Sequence, residues 1–80
     1  MSALTLTQVR ECIAAHLGHS VAGVGAHQRL AEDLDIDSLA LHAVLLDLEE
    51  AGGVLPEPGA MAQVVTVADL HRALVAEHAQ

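Results

Sequence analysis

An all-α bundle of three main helices, with room for a short fourth and a long first loop, is the fold this sequence predicts. Three observations carry that expectation. Apolar residues recur three and four apart in three separate stretches. Each of those stretches opens on a capping residue, and nowhere does the chain alternate with the period of two that a half-buried strand requires. The hydrophobic fraction of 52% supports a packed core, built from Leu, Val, Ile, Ala and Met because Phe, Tyr and Trp are absent. The 80 residues form a single domain, 1–80, whose small core implies modest stability.

The first helix is expected over Leu6 to Leu17. Thr5 can cap it, Gln8 can complete a capping box, and Leu4 can pack on Val9 as a hydrophobic staple. Leu6, Val9, Ile13 and Leu17 give its core stripe, and Gly18 stops it. From Gly18 to Asp37 no period is sustained. Val21, Val24, Leu30, Leu34 and Ile36 are spaced along that stretch as apolar anchors, so it reads as a packed loop with room for a short turn of helix.

Asp37 caps the second helix, which runs from Ser38 to about Ala51 and ends at Gly52-Gly53. Pro56 and Pro58 then break the chain, leaving a short irregular helix near Ala60 to Gln63. The last helix opens at Thr66. Thr66 and Asp69 have capping-box spacing, Val65 can staple on Leu70, and Val67, Leu70 and Leu74 form the core stripe. Val64-Val65 is too short for a strand.

The second helix has two apolar sides. Leu41, Val44, Leu45 and Leu48 form a core stripe, while Leu39, Ala43 and Leu46 fall opposite, with His42, Asp47 and Glu50 beside them. A small bundle cannot bury both sides, so the second strip is expected to stay exposed as a partner surface. Seven of the eleven carboxylates (Glu32, Asp33, Asp35, Asp37, Asp47, Glu49 and Glu50) lie between positions 32 and 50, with Arg29 the nearby cation. A one-signed field around an apolar strip steers a basic partner.

Overall charge excludes several functions. Three arginines, no lysine and a formal net charge of −8 make nucleic acid and anionic membranes poor partners. Missing aromatics remove base-stacking platforms. Cys12 stands alone, so no internal disulfide forms, and it is expected to be a small buried residue beside the first helix's core stripe. No signal peptide or long apolar span is evident, and a soluble, cytoplasmic protein is expected.

Tests for site chemistry return few candidates. Asp33, Asp35 and Asp37 have the spacing of a calcium loop, but Ser38 and Val44 stand where that loop needs glycine and glutamate. His16 and His19 are separated by the helix break at Gly18, and His71 and His78 by a fraying end. No cysteine pair or metalloprotease run appears, so no metal site is expected. Ser38 and His42 could touch across one helical turn, yet no orienting carboxylate or oxyanion hole accompanies them. No catalytic residue is assigned, and the chain is expected not to be an enzyme.

That leaves Ser38 itself, isolated between an acidic loop and an apolar, acid-studded helix, as an attachment point. The capped first helix, the long loop, Asp37-Ser38-Leu39, Leu48-Glu49-Glu50, Leu55-Pro56 and Thr66-Val67 occur in an order that resembles the acyl carrier protein family, and the likeness spans most of the chain. The resemblance implies a four-helix bundle in which Ser38 accepts 4′-phosphopantetheine from coenzyme A through a separate phosphopantetheinyl transferase. The arm's thiol would then hold acyl groups as thioesters. It also implies that Asp37, Leu39, His42, Ala43, Leu46, Asp47, Glu49 and Glu50 meet partner enzymes such as ketosynthases and acyltransferases, with the carrier a monomer.

Ala40 and Ala43 stand where carriers of fatty-acid synthesis commonly have acidic residues. Lysine is absent, and Pro58-Gly59 weakens the short helix. Asp35-Ile36 replaces the Gly-Gly before serine that typifies peptidyl carriers. Asp37-Ser38-Leu39-Ala40-Leu41 is more similar to the stand-alone carriers of dissociated polyketide synthases, which make antibiotics and related metabolites. The alternatives are a fatty-acid carrier, or a helical adaptor that binds basic partners without any prosthetic group.

Overall fold

The computed structural model describes residues 4–75. Four helices follow in order: α1 (Leu6–Leu17), α2 (Ser38–Glu50), α3 (Pro58–Met61) and α4 (Val67–Val75), with a 3-10 turn at Val21–Gly23. Among the described residues no strand forms, only an isolated bridge between Arg29 and Thr66. No described helix is long and apolar enough to cross a membrane.

The α1 boundaries match the sequence expectation. Thr5 Oγ1 accepts the Gln8 N–H at 3.1 Å and Gln8 Oε1 accepts the Thr5 N–H at 2.8 Å, which closes the capping box. Gly18, at φ 73°, lets the His19 N–H turn back to the Ala14 carbonyl at 3.0 Å. The buried line of α1 is Val9, Ile13 and Ala14, with Leu4 just upstream. Leu6 and Leu17 are half-buried and pack against that core, completing the expected stripe. They occupy the first and last turns, where fewer neighbours surround the helix.

The loop between α1 and α2 is packed. Val24, Leu30, Leu34 and Ile36 are buried and Val21 is half-buried. Arg10 reaches across from α1, donating from Nε to the Val24 carbonyl at 2.6 Å and from a terminal nitrogen to that of Val21 at 3.1 Å. Farther along, the Leu30 N–H donates to Val65 O at 2.9 Å. In return, Gln28 O and Ala26 O accept the N–H groups of Val67 and Ala68, each at 3.0 Å. These bonds satisfy backbone groups that a buried loop would otherwise leave without partners.

In α2, Val44 and Leu48 are fully inside while Leu41 and Leu45 are half-buried at the flanks of the stripe. The helix ends as a Schellman motif, with the Gly53 N–H on Leu48 O at 2.9 Å and the Gly52 N–H on Glu49 O at 3.1 Å. Gly52 takes φ 115°, and a Cβ on buried Gly53 would sit 3.1 Å from both Leu48 O and a Leu4 methyl. Glycine is required at both positions.

Two expectations near the carboxyl end need correcting. The short helix α3 starts at Pro58 rather than near Ala60, because a fixed proline φ suits the first helical position, where no N–H is needed. Pro58 starts that helix instead of breaking the chain. Val65, expected to staple on Leu70, is 50% exposed, while Leu70 is fully buried. The cap itself forms: Thr66 Oγ1 accepts the Asp69 N–H, and Asp69 Oδ2 accepts the N–H groups of Thr66 and Val65, all at 3.1 Å. Val67, Leu70 and Leu74 complete the core. His78 lies outside the described residues, and His71 Nε2, in the tautomer that carries its proton there, donates to Leu4 O at 2.8 Å.

Candidate functional site

Ser38 is the first residue of α2 and is exposed. Its position follows from the two residues before it. Ile36 is buried and fixed by its N–H on Leu30 O at 2.9 Å, which anchors the loop against the core. Asp37 then turns the chain outward in an extended conformation, and its Oδ1 accepts the Ala40 N–H at 2.8 Å. Ser38 is thus presented to solvent on a rigid, capped helix end.

The chemistry available there is that of an exposed alcohol at the positive end of a helix dipole. An anionic group joined to it gains about 0.3–1 kcal/mol from that dipole when exposed. Asp35 and Asp37 are both exposed, which favours a charged substituent that projects into water rather than one folded onto the loop. His42, four residues on, is also exposed, and no hydrogen bond joins it to Ser38 among the described residues. The residues present therefore suit a phosphodiester-linked group on Ser38 better than hydrolysis by it.

Along α2 the structure leaves Leu39 82% and Leu46 43% exposed, with Ala43 half-buried between them. His42, Glu49 and Glu50 are exposed beside this strip. Helical rotation places Asp47 and Glu49 about 80° to either side of the Leu39 line. Asp47, though exposed, is engaged: His16 Nε2 of α1 lies 2.5 Å from its Oδ2. Among the described residues Asp35, Asp37, Glu49 and Glu50 have no ion-pair partner, because Arg29 pairs with Glu32 and Asp33 and Arg72 with Asp69.

A groove of about 230 Å³ lies between the loop, α2 and the α3–α4 junction, with Leu30, Ile36, Leu41, Val64 and Val65 as its apolar lining and Arg29 and Glu32 as charged members. Leu41 follows Ser38 by three residues on α2, so one wall of the groove belongs to the helix that Ser38 opens.

The calcium-like triplet does not gather. Asp33 accepts the Arg29 N–H at 2.8 Å and Asp37 caps α2, so each carboxylate serves its own segment. A different group does come together: ligand atoms of Cys12, His16 and Asp47 lie within 4.8 Å of one another, the one such group of three among the described residues. Sequence reading missed it because the contact crosses from α1 to α2. The available signal was the four-residue spacing of Cys12 and His16 on one helix face. Cys12 is half-buried rather than buried. Burial raises its thiol above the ordinary value, and the Asp47 carboxylate pushes the same way.

The family described as phosphopantetheine attachment site matches residues 7–74, a span that holds α2 and all the loop before it. No curated protein matches the chain.

Proposed function

The chain belongs to the phosphopantetheine attachment family of acyl carrier proteins, non-catalytic carriers whose 4′-phosphopantetheine is bonded to a serine, and we propose that Ser38 is that serine. The observation that carries the assignment is an exposed Ser38 opening a helix of 13 residues inside the matched span. Carriers of this family work with phosphopantetheinyl transferases and acyl-processing enzymes.

When bound, the group supplies a terminal thiol that holds acyl cargo as a thioester. Around it, this chain's own residues position and present. Asp37 holds the first turn of α2 in place, so the attachment oxygen stays fixed relative to the recognition surface. Leu39, Ala43 and Leu46 offer an apolar strip, and Asp37, His42, Asp47, Glu49 and Glu50 offer its polar rim. Together these residues form the docking face for enzymes with basic surfaces, ketosynthases and acyltransferases among them. The Leu30–Ile36–Leu41–Val64–Val65 groove gives an arm or short acyl chain an apolar floor close to Ser38.

The carrier serves a polyketide pathway in the cytoplasm rather than primary fatty-acid synthesis. Ala40 and Ala43 support that reading, since they leave the first two turns of α2 without carboxylates. One carrier domain accounts for residues 1–80.

Incubation with coenzyme A, Mg²⁺ and a broad-specificity phosphopantetheinyl transferase tests the attachment. The intact mass should rise by one phosphopantetheine, and Ser38→Ala should stay unmodified while keeping its helical circular dichroism. A mass gain in Ser38→Ala, or an unmodified wild type beside an active control carrier, would overturn the assignment.

A further inference from the structure

On the α1–α2 face, away from the attachment point, Cys12 and His16 stand one turn apart on α1 and Asp47 faces them from α2. The three line a surface cavity of about 330 Å³ together with Ala15, whose small side chain leaves the approach open. Cys12 Sγ has only a weak contact, with Val44 O at 3.9 Å. His16 Nε2 and Asp47 Oδ2 already point at one another across 2.5 Å. A thiol, an imidazole and a carboxylate converge from two rigid helices without serving the attachment chemistry.

We propose that Cys12, His16 and Asp47 form a binding site for a thiophilic divalent cation, Zn²⁺ above all, that clasps α1 to α2. The donor set selects the ion. Sulfur and imidazole nitrogen suit zinc, whereas magnesium and calcium require an all-oxygen cage. Geometry allows it too. A tetrahedral zinc with bonds near 2.0 Å to N and O and near 2.3 Å to S holds its ligand atoms about 3.3–3.6 Å apart. The three donors already lie within 4.8 Å, so small rotamer adjustments close the shell. His16 and Asp47 separate by less than about 1 Å to admit the ion.

Binding replaces the hydrogen bond between them with two metal bonds. Cys12 releases its proton to solvent and binds as thiolate, since a divalent cation outweighs the burial and carboxylate that otherwise keep the thiol protonated. Three protein ligands leave a fourth position for water. The −8 net charge of the chain enriches cations at this surface. Loading would also withdraw Asp47 from the α2 rim, so the metalled carrier meets partners with one carboxylate fewer.

Zn²⁺ alone is the probe for affinity and Co²⁺ for ligand identity, on the untagged full chain. The absence of Phe, Tyr and Trp leaves the near ultraviolet clear. Expected are one saturable site for either ion, a thiolate-to-cobalt charge-transfer band, and a higher melting temperature with zinc. Cys12→Ser should abolish the band, and His16→Ala and Asp47→Asn should each weaken zinc binding at least tenfold. Ser38→Ala should retain the band in full, which separates this site from the prosthetic thiol and from the attachment assignment. A band that survives Cys12→Ser or disappears in Ser38→Ala overturns the proposal, as does the lack of saturable binding at millimolar zinc. Cys12→Ala, checked for folding by circular dichroism, serves as a second removal of the thiol.

Discussion

Asp35 has φ 57°, the one positive value at a non-glycine among the described residues. That conformation reverses the loop between Leu34 and Ile36, which are both buried with 7% exposure. Asp35 itself, between these two anchors, stays exposed. An L-residue held there loses roughly 1–2 kcal/mol, aspartate being among the better tolerated. Asp35→Gly and Asp35→Val remove the same charge but differ in backbone freedom. The glycine variant should unfold at a higher urea concentration than the valine variant, by a margin of roughly 1–2 kcal/mol. Equal midpoints would show that the bend is not strained. The same bend sets the direction in which Asp37 and Ser38 leave the core, so backbone strain at one residue positions the reactive alcohol three residues on.

Helix α4 opens on a reciprocal cap that can be tested by titration. Hydrogen bonds from the Thr66 and Val65 N–H groups hold the Asp69 carboxyl below its usual range, aided by Arg72. A lowered folded-state value means that the carboxylate stabilises the fold above the ordinary aspartate range, and that this contribution is lost as pH falls through it. Asp69→Asn should therefore lower the melting temperature most near neutrality, and its deficit should shrink as the solution is acidified. A deficit independent of pH would rule out the charged cap. The Thr66–Asp69 and Thr5–Gln8 boxes were legible in the sequence because caps act over three residues, and so were the α1 and α2 boundaries. Pro58 was misread as a breaker because one residue type can either end a helix or begin one. The bonds from Val65, Val67 and Ala68 to the first loop could not be read, since nothing local records a contact made across some forty positions. The position of Ser38 at the start of α2 was legible from Asp37, the capping residue before it. The Cys12–His16–Asp47 group was not, because it exists only once α1 and α2 are packed.

At the scale of the molecule, charge is distributed unevenly. Each arginine is committed to an internal acceptor: Arg10 to loop carbonyls, Arg29 to Glu32 and Asp33, and Arg72 to Asp69. The carboxylates at the far end of α2 are left to define the outward field, and field lines of one sign accelerate encounter with basic partners. Glu49→Lys with Glu50→Lys should slow association with a partner enzyme and flatten its dependence on ionic strength, measured by surface plasmon resonance across a salt series. Unchanged kinetics at low salt would remove those two residues from the docking face.

The backbone hydrogen bonds that join residues 26, 28 and 30 to residues 65, 67 and 68 also impose an order on biogenesis. The first loop, which leads into Ser38, is fully tied down only after the start of α4 has been synthesised.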